Sequence, residues 1–166
     1  MKILLTLILA FVLSCSAFAQ DNSIEKTFEK NKRGYSLKTF SIGEDASSGF
    51  DYLVYRQKLS TKKIRVIWSN YERATVDDYF YEFGKPLLLI KSTAKNSQTK
   101  SLAKGANLPL TAFEKFFIKD SKLVTWLENG KNIPSTDPRW AEKEKEVLES
   151  FEEQLETYRS HLRGEL

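Results

Sequence analysis

The sequence predicts an α+β domain, an antiparallel β-sheet of about five to seven hairpin-connected strands packed against a long C-terminal amphipathic helix. Three observations predict it. Between Phe50 and Ile133, short runs of strand-forming residues are separated by turn signals. Within the runs apolar and polar residues alternate, as Ile64, Val66 and Trp68 do against Lys63 and Arg65. Beyond Asp137 the apolar spacing changes to helical steps.

The chain opens on a three-part export pattern. Lys2 supplies a positive start, Ile3 to Leu13 a short apolar run, and Ala17-Phe18-Ala19 a small-x-small end before the polar Gln20-Asp21-Asn22. An apolar run this short does not span a bilayer as a helix, which takes about twenty residues. The expected leader is 1–19, cleaved after Ala19, and the expected domain is 20–166 in the periplasm or secreted. Val12-Leu13-Ser14-Cys15 offers a second route, because it resembles an imperfect lipobox. A lipidated Cys15 would make the product a membrane-anchored lipoprotein.

The elements follow in order. Ser23 to Arg33 reads as a short helix anchored by Ile24 and Phe28 and ended by Gly34. Tyr35 to Ile42 alternates loosely, as an edge strand does, and Gly43 to Gly49 forms a loop. Asp51 to Leu59 is a strand rich in aromatic and branched residues, with a turn expected at Ser60-Thr61-Lys62. Ile64 to Trp68 is the next strand. Thr75 to Glu82 and Lys85 to Lys91 form a hairpin around Phe83-Gly84, and Leu87 to Ile90 suits a strand buried on both faces. Phe113 to Leu127 forms another hairpin around Asp120-Ser121. Asn129-Gly130 is a favoured two-residue turn before a short last strand at Ile133. Residues 79–87 and 116–124 share an order of aromatic strand, polar turn, lysine and apolar return, about 37 residues apart, as two units of a repeat do.

Asp137 suits a helix N-cap and Pro138 the first helical position, so the helix is expected over 138–163 with Gly164 beyond its end. Ala141, Leu148, Phe151, Leu155, Tyr158 and Leu162 form its apolar seam. The seam points to packing across the sheet, with a coiled-coil dimer face as the alternative.

Composition narrows the chemistry. Cys15 is the only cysteine, so a processed chain has no thiolate nucleophile, no disulfide and no cysteine-bound zinc. His161 is the only histidine, which excludes paired-histidine metal motifs and leaves a single candidate base for a serine triad. Neither a metal nor another cofactor is indicated. Asp77 and Asp78 alternate across a strand, so they cannot form one acid–base pair. Residues 20–136 carry twenty bases and thirteen acids, and residues 137–166 carry five bases and nine acids. This asymmetry fits an acidic helix facing a basic sheet, or a basic surface for an anionic partner.

The expected function is an exported, non-enzymatic binding or accessory module of the bacterial envelope. A carboxylate-based hydrolase of envelope polymers and a structural self-associating module are the alternatives. Trp68, Tyr79 and Tyr81 are the candidate aromatic surface, and Lys95, Lys100 and Lys104 in the lysine-rich segment 92–110 the candidate basic one. That segment reads chiefly as mobile filler, because it is long and poor in apolar residues. The expected partners are an envelope protein or an anionic polymer, with a membrane only through Cys15. Nucleic acid is not expected, since the basic segment lacks interleaved aromatics. A monomer or weak dimer is expected.

Overall fold

Eight strands pair in strict chain order to form one antiparallel sheet: β1 (Ser36–Asp45), β2 (Ser48–Gln57), β3 (Ser60–Ser69), β4 (Arg73–Glu82), β5 (Lys85–Lys95), β6 (Thr111–Lys119), β7 (Lys122–Glu128) and β8 (Lys131–Ile133). A C-terminal helix (Trp140–Arg163) follows. This computed structural model describes residues 23–45, 48–69, 73–95, 102–106 and 109–166. The expected leader and Cys15 lie outside the described residues. The chain divides into two compact units, 1–34 and 35–166. The described part of the first is a helix over residues 23–31 and a 3-10 turn, Lys32–Gly34.

The α+β class holds, with one strand more than the upper end of the expected range. Sequence alternation ends the first strand at Ile42, and pairing with the second carries it to Asp45, so the expected loop from Gly43 to Gly49 is shorter.

The register sorts the side chains into rows. Lys38, Val54, Ile64, Tyr79, Leu89, Phe116, Trp126 and Ile133 lie across the sheet as successive partners. Residues of this row join Val147, Phe151 and Tyr158 of the helix in the main core. Phe151 sits edge-on to Tyr79 and Tyr81, with ring centroids 5.1 and 5.3 Å away. Tyr81 also donates its hydroxyl proton to the Phe151 carbonyl at 3.1 Å. The buried helix stripe is Val147, Phe151, Gln154 and Tyr158, with Leu148 and Leu155 packed partly at its side. It is therefore rotated from the expected seam: Ala141 and Leu162 are exposed. Phe151 and Tyr158 belong to both stripes and anchor the helix, and the rotation about them replaces Ala141 and Leu162 by Val147 and Gln154.

The helix begins two residues later than its sequence signals suggest. Asp137 caps a preceding turn instead, accepting the Arg139 backbone N–H at 2.9 Å. At the other end Gly164 adopts φ 73° and donates to the His161 carbonyl, as expected of a glycine that closes a helix.

The opposite sheet face is buried too, through Leu53, Ile67, Val76, Phe80, Leu88, Phe117 and Leu127. The connection after β5 supplies part of its cover. Leu102 is fully buried, and Gly105 (φ +81°) lies so near Leu37, Leu53 and Tyr55 that an added Cβ would stand 3.2 Å from Leu37 Cδ2. The described part of this segment is therefore packed structure, contrary to the expectation of mobile filler. Among its described residues Leu102 is the fully buried anchor, which composition averaged over the loop conceals.

Three hairpins share one design. β2–β3, β4–β5 and β6–β7 each turn over two residues, and in each the register slips three residues before the turn, at Tyr55/Arg56, Phe80/Tyr81 and Phe117/Ile118. The sequence likeness of the last two thus reflects equal geometry, and the first belongs with them. Such bulges sharpen strand twist and bend. Alternating turns of a meander fall at alternate ends, so these three tips lie at the same end of the sheet.

Candidate functional site

On the helix side, one row of the sheet runs beyond the main core. Ile42, Phe50, Trp68, Thr75 and Thr93 are successive cross-strand partners. Alternation places Phe50 and Trp68 on the same face as Tyr52 and Val66, yet they keep 43% and 39% of their surface exposed. The site is therefore two adjacent half-open aromatic side chains on a sheet, followed by two threonines.

The row between this strip and the core changes character along its length. It reads Phe40, Tyr52, Val66, Asp77, Lys91, Glu114 and Glu128. Its first part is an aromatic stack: the Phe40 ring lies 4.7 Å from Tyr52 and 3.9 Å from the His161 imidazole. His161 is thus a stacking residue. Its second part is charged. Lys91 Nζ meets Glu146 Oε1 at 3.4 Å, and Lys143 Nζ holds the other oxygen of Glu146 at 2.7 Å.

Asp77 is the unusual member. Burial pushes its carboxyl up to about 6; Lys91 opposes this, and the neighbouring Asp78 and Glu114 add to it. Its Oδ1 atom is buried without a hydrogen-bond partner. An acid in this condition near neutral pH is a functional-site marker, although structural networks also produce it.

Asp78 points to the other face and has the opposite environment. Burial alone would raise its pKa, but Lys63 and Arg65 hold it down at about 2. Arg65 donates through Nε and a terminal nitrogen to the two carboxylate oxygens at 2.7 and 2.8 Å, and Lys63 Nζ lies 2.8 Å away. Cross-strand pairing of Arg65 with Asp78 places this bidentate contact. The two adjacent aspartates thus face opposite ways, as the sequence required, and do not share a site.

Of the sequence candidates, only Trp68 belongs to the open strip. Tyr79 and Tyr81 are buried under the helix, where alternation also allowed them to be, and burial raises both hydroxyl pKa values. They serve the core rather than an exposed aromatic surface. Lys104 is exposed on the packed turn after β5. Lys95 ends β5, opposite Arg73, and Lys100 lies outside the described residues. Sequence reasoning passed over Phe50, Asp77 as a buried acid, Lys91 and Glu114. Phe50 was within reach, because it extends the alternation of Tyr52 and Val54 by one step.

Among the described residues, no group of three or more His, Cys, Asp or Glu side chains is placed to hold a metal ion. No described helix is long and apolar enough to cross a membrane. No protein-family model, curated protein or solved structure matches the chain, so any function must be argued from its own side chains.

Proposed function

We propose that the chain is an exported, non-enzymatic binding module of the bacterial envelope, and that the strip carrying Phe50 and Trp68 contacts its ligand. The leader pattern of 1–19 supports the location. The observation that carries the binding role is the half-exposed Phe50–Trp68 pair in cross-strand register. Two aromatic side chains on a hydrogen-bonded sheet offer apolar area with little freedom left to lose on binding. The threonines beside them and the Asp77–Lys91–Glu114 row behind add hydroxyls and charges of both signs. A polymer with apolar ring faces and polar edges, such as an envelope glycan, suits that combination.

The test is titration with soluble peptidoglycan fragments and envelope polysaccharides, followed by tryptophan emission. Of the three tryptophans Trp126 is buried and Trp140 half-buried, so the exposed Trp68 is best placed to report contact, and the binding of Trp68→Ala, which lacks this reporter, is measured by calorimetry. Binding that shifts emission, and that Trp68→Ala abolishes without lowering the melting temperature, is expected. Equal binding by the parent and Trp68→Ala would discard the strip.

A second reading rests on Asp77. Its raised pKa suits a general acid, and Glu114 stands two strands away on the same face. Two strand spacings amount to about 10 Å between backbones, near the carboxyl separation of about 6.5–9.5 Å in inverting glycosidases. Lys91 stands between the two in the register, where such an enzyme would leave room for water and substrate. Release of new reducing ends from a glycan, lost in both Asp77→Asn and Glu114→Gln, would favour hydrolysis over binding.

A further inference from the structure

The three equivalent hairpin tips form a second surface, remote from the aromatic strip. Leu59, at the β2–β3 tip, is 92% exposed, and Phe83, at the β4–β5 tip, is 83% exposed. Together with Arg56, Tyr158 and Leu162 they line one shallow groove of about 480 Å³. Lys62 Nζ stands 5.4 Å from the centre of the Phe83 ring.

That exposed cation–π contact is a small reward for placing Phe83 in a strained turn. The Phe83 φ is 50°, in the left-handed region, followed by Gly84 at 79°. A two-residue hairpin turn with both central residues at positive φ favours asparagine, aspartate or glycine. The same chain obeys that preference elsewhere: Asn129 (φ 49°) precedes Gly130, and Asp120 (φ 51°) takes the first position at the β6–β7 tip. At the matching position β4–β5 carries a phenylalanine, disfavoured in its backbone and left in water. Strain that local structure does not explain points to a use outside the fold.

The surroundings of the tips select the partner. On the β2–β3 and β4–β5 tips, residues 57–62 and 82–85 hold three lysines, Lys58, Lys62 and Lys85, against Glu82. Exposed apolar tips ringed by lysines match the boundary between anionic headgroups and acyl chains, where the apolar part inserts and the cations stay with the phosphates. A second copy docking tip to tip would bring these lysines against their equivalents. The acids Glu149, Glu152, Glu153 and Glu156 line the groove between the helix and the β4–β5 and β6–β7 turns, which confines the contact to the β2–β3 and β4–β5 side.

We propose that the Leu59 and Phe83 tips dock the protein on an anionic lipid bilayer, with no lipid on Cys15 required. The geometry is that of a peripheral contact, made by two rigid hairpins and steered by lysines.

The test uses the full chain and its variants with identical N-termini, so any contribution of the apolar residues 3–13 cancels. Cosedimentation is measured with vesicles of phosphatidylcholine alone and with half phosphatidylglycerol. The parent is expected to bind the anionic vesicles, to prefer them over the neutral ones, and to release in high salt. Phe83→Asn is expected to weaken binding about tenfold or more, the loss of about 1.4 kcal/mol. Its melting temperature should be unchanged or higher, because asparagine suits the turn. Leu59→Ser should weaken binding similarly with the fold intact. Failure of the parent to bind, equal binding by Phe83→Asn and Leu59→Ser, or equal affinity for neutral vesicles would overturn the proposal. So would a dimer in sedimentation velocity that Phe83→Asn dissociates while neither vesicle is bound.

Discussion

Replacing Asp77 by asparagine tests the energetics of the candidate site, and the expected effect depends on pH. The carboxyl is raised from 3.8 to about 6, first by burial and then by Asp78 and Glu114, against the pull of Lys91. The groups facing it from neighbouring elements are Lys91 on β5, Glu114 on β6 and, through Lys91, Glu146 of the helix. A raised acid pKa means the folded state binds the proton more tightly than the unfolded chain does. Stability is therefore fully present below about 4 and is lost as pH rises through about 6. A shift of about two units corresponds to roughly 3 kcal/mol of destabilisation above pH 7. Asparagine keeps the shape and removes the charge, so Asp77→Asn should match the parent near pH 4 and exceed it by about 3 kcal/mol near pH 8. For a chain of this size that is about 6–12 °C in melting temperature. Urea unfolding at both pH values checks it. A gap that does not change with pH, or an asparagine variant less stable than the parent at pH 8, would refute the reasoning.

Asp78 should show the reverse dependence. Its carboxyl is held at about 2 by Lys63 and Arg65, so its contribution is present above about 4 and fades as pH falls toward 2. Asp78→Asn leaves two buried cations without their shared anion and should cost about 3–5 kcal/mol at neutral pH, measured by urea unfolding. Leu102→Ala should cost about 2–5 kcal/mol by the same assay, because Leu102 is fully buried; an effect near zero would return that segment to the status of a loose connection.

Local features of the fold were legible where one residue type satisfies one backbone demand. Asn129-Gly130, Phe83-Gly84 and Asp120-Ser121 were read as turns, and all six residues sit at positive φ. Gly164 was read beyond the helix end for the same reason. The helix stripe was harder. The expected seam of Ala141, Leu148, Phe151, Leu155, Tyr158 and Leu162 shares Phe151 and Tyr158 with the buried stripe, whereas the sheet also takes Val147 and Gln154 and leaves Ala141 and Leu162 exposed. The strip and the charged row escaped sequence reading for a different reason. Joining Phe50 to Trp68, or Asp77 to Lys91 and Glu114, requires the register of neighbouring strands, and a slip of one residue would reverse every face.

A turn that sequence reasoning misplaced bears on the hairpin surface. The β2–β3 turn was expected at Ser60-Thr61-Lys62 because Leu59 is apolar and continues a strand-like run, yet the chain turns at Lys58 and Leu59. Neither residue is a favoured turn former, and Lys58 takes φ 55°. Phe83 breaks the same preference at the matching tip, while Asp120 and Asn129 follow it. The three hairpins share the bulge before the turn, and β4–β5 and β6–β7 also share positive φ at both turn residues, whereas in β2–β3 only Lys58 has it, so the fold does not demand a phenylalanine at the β4–β5 tip. The β4–β5 turn builds with phenylalanine the backbone that β6–β7 builds with aspartate, and that exception requires a cause outside folding. Phe83, together with the neighbouring Leu59, places a large apolar side chain in water on one groove, which makes a contact surface the simplest such cause.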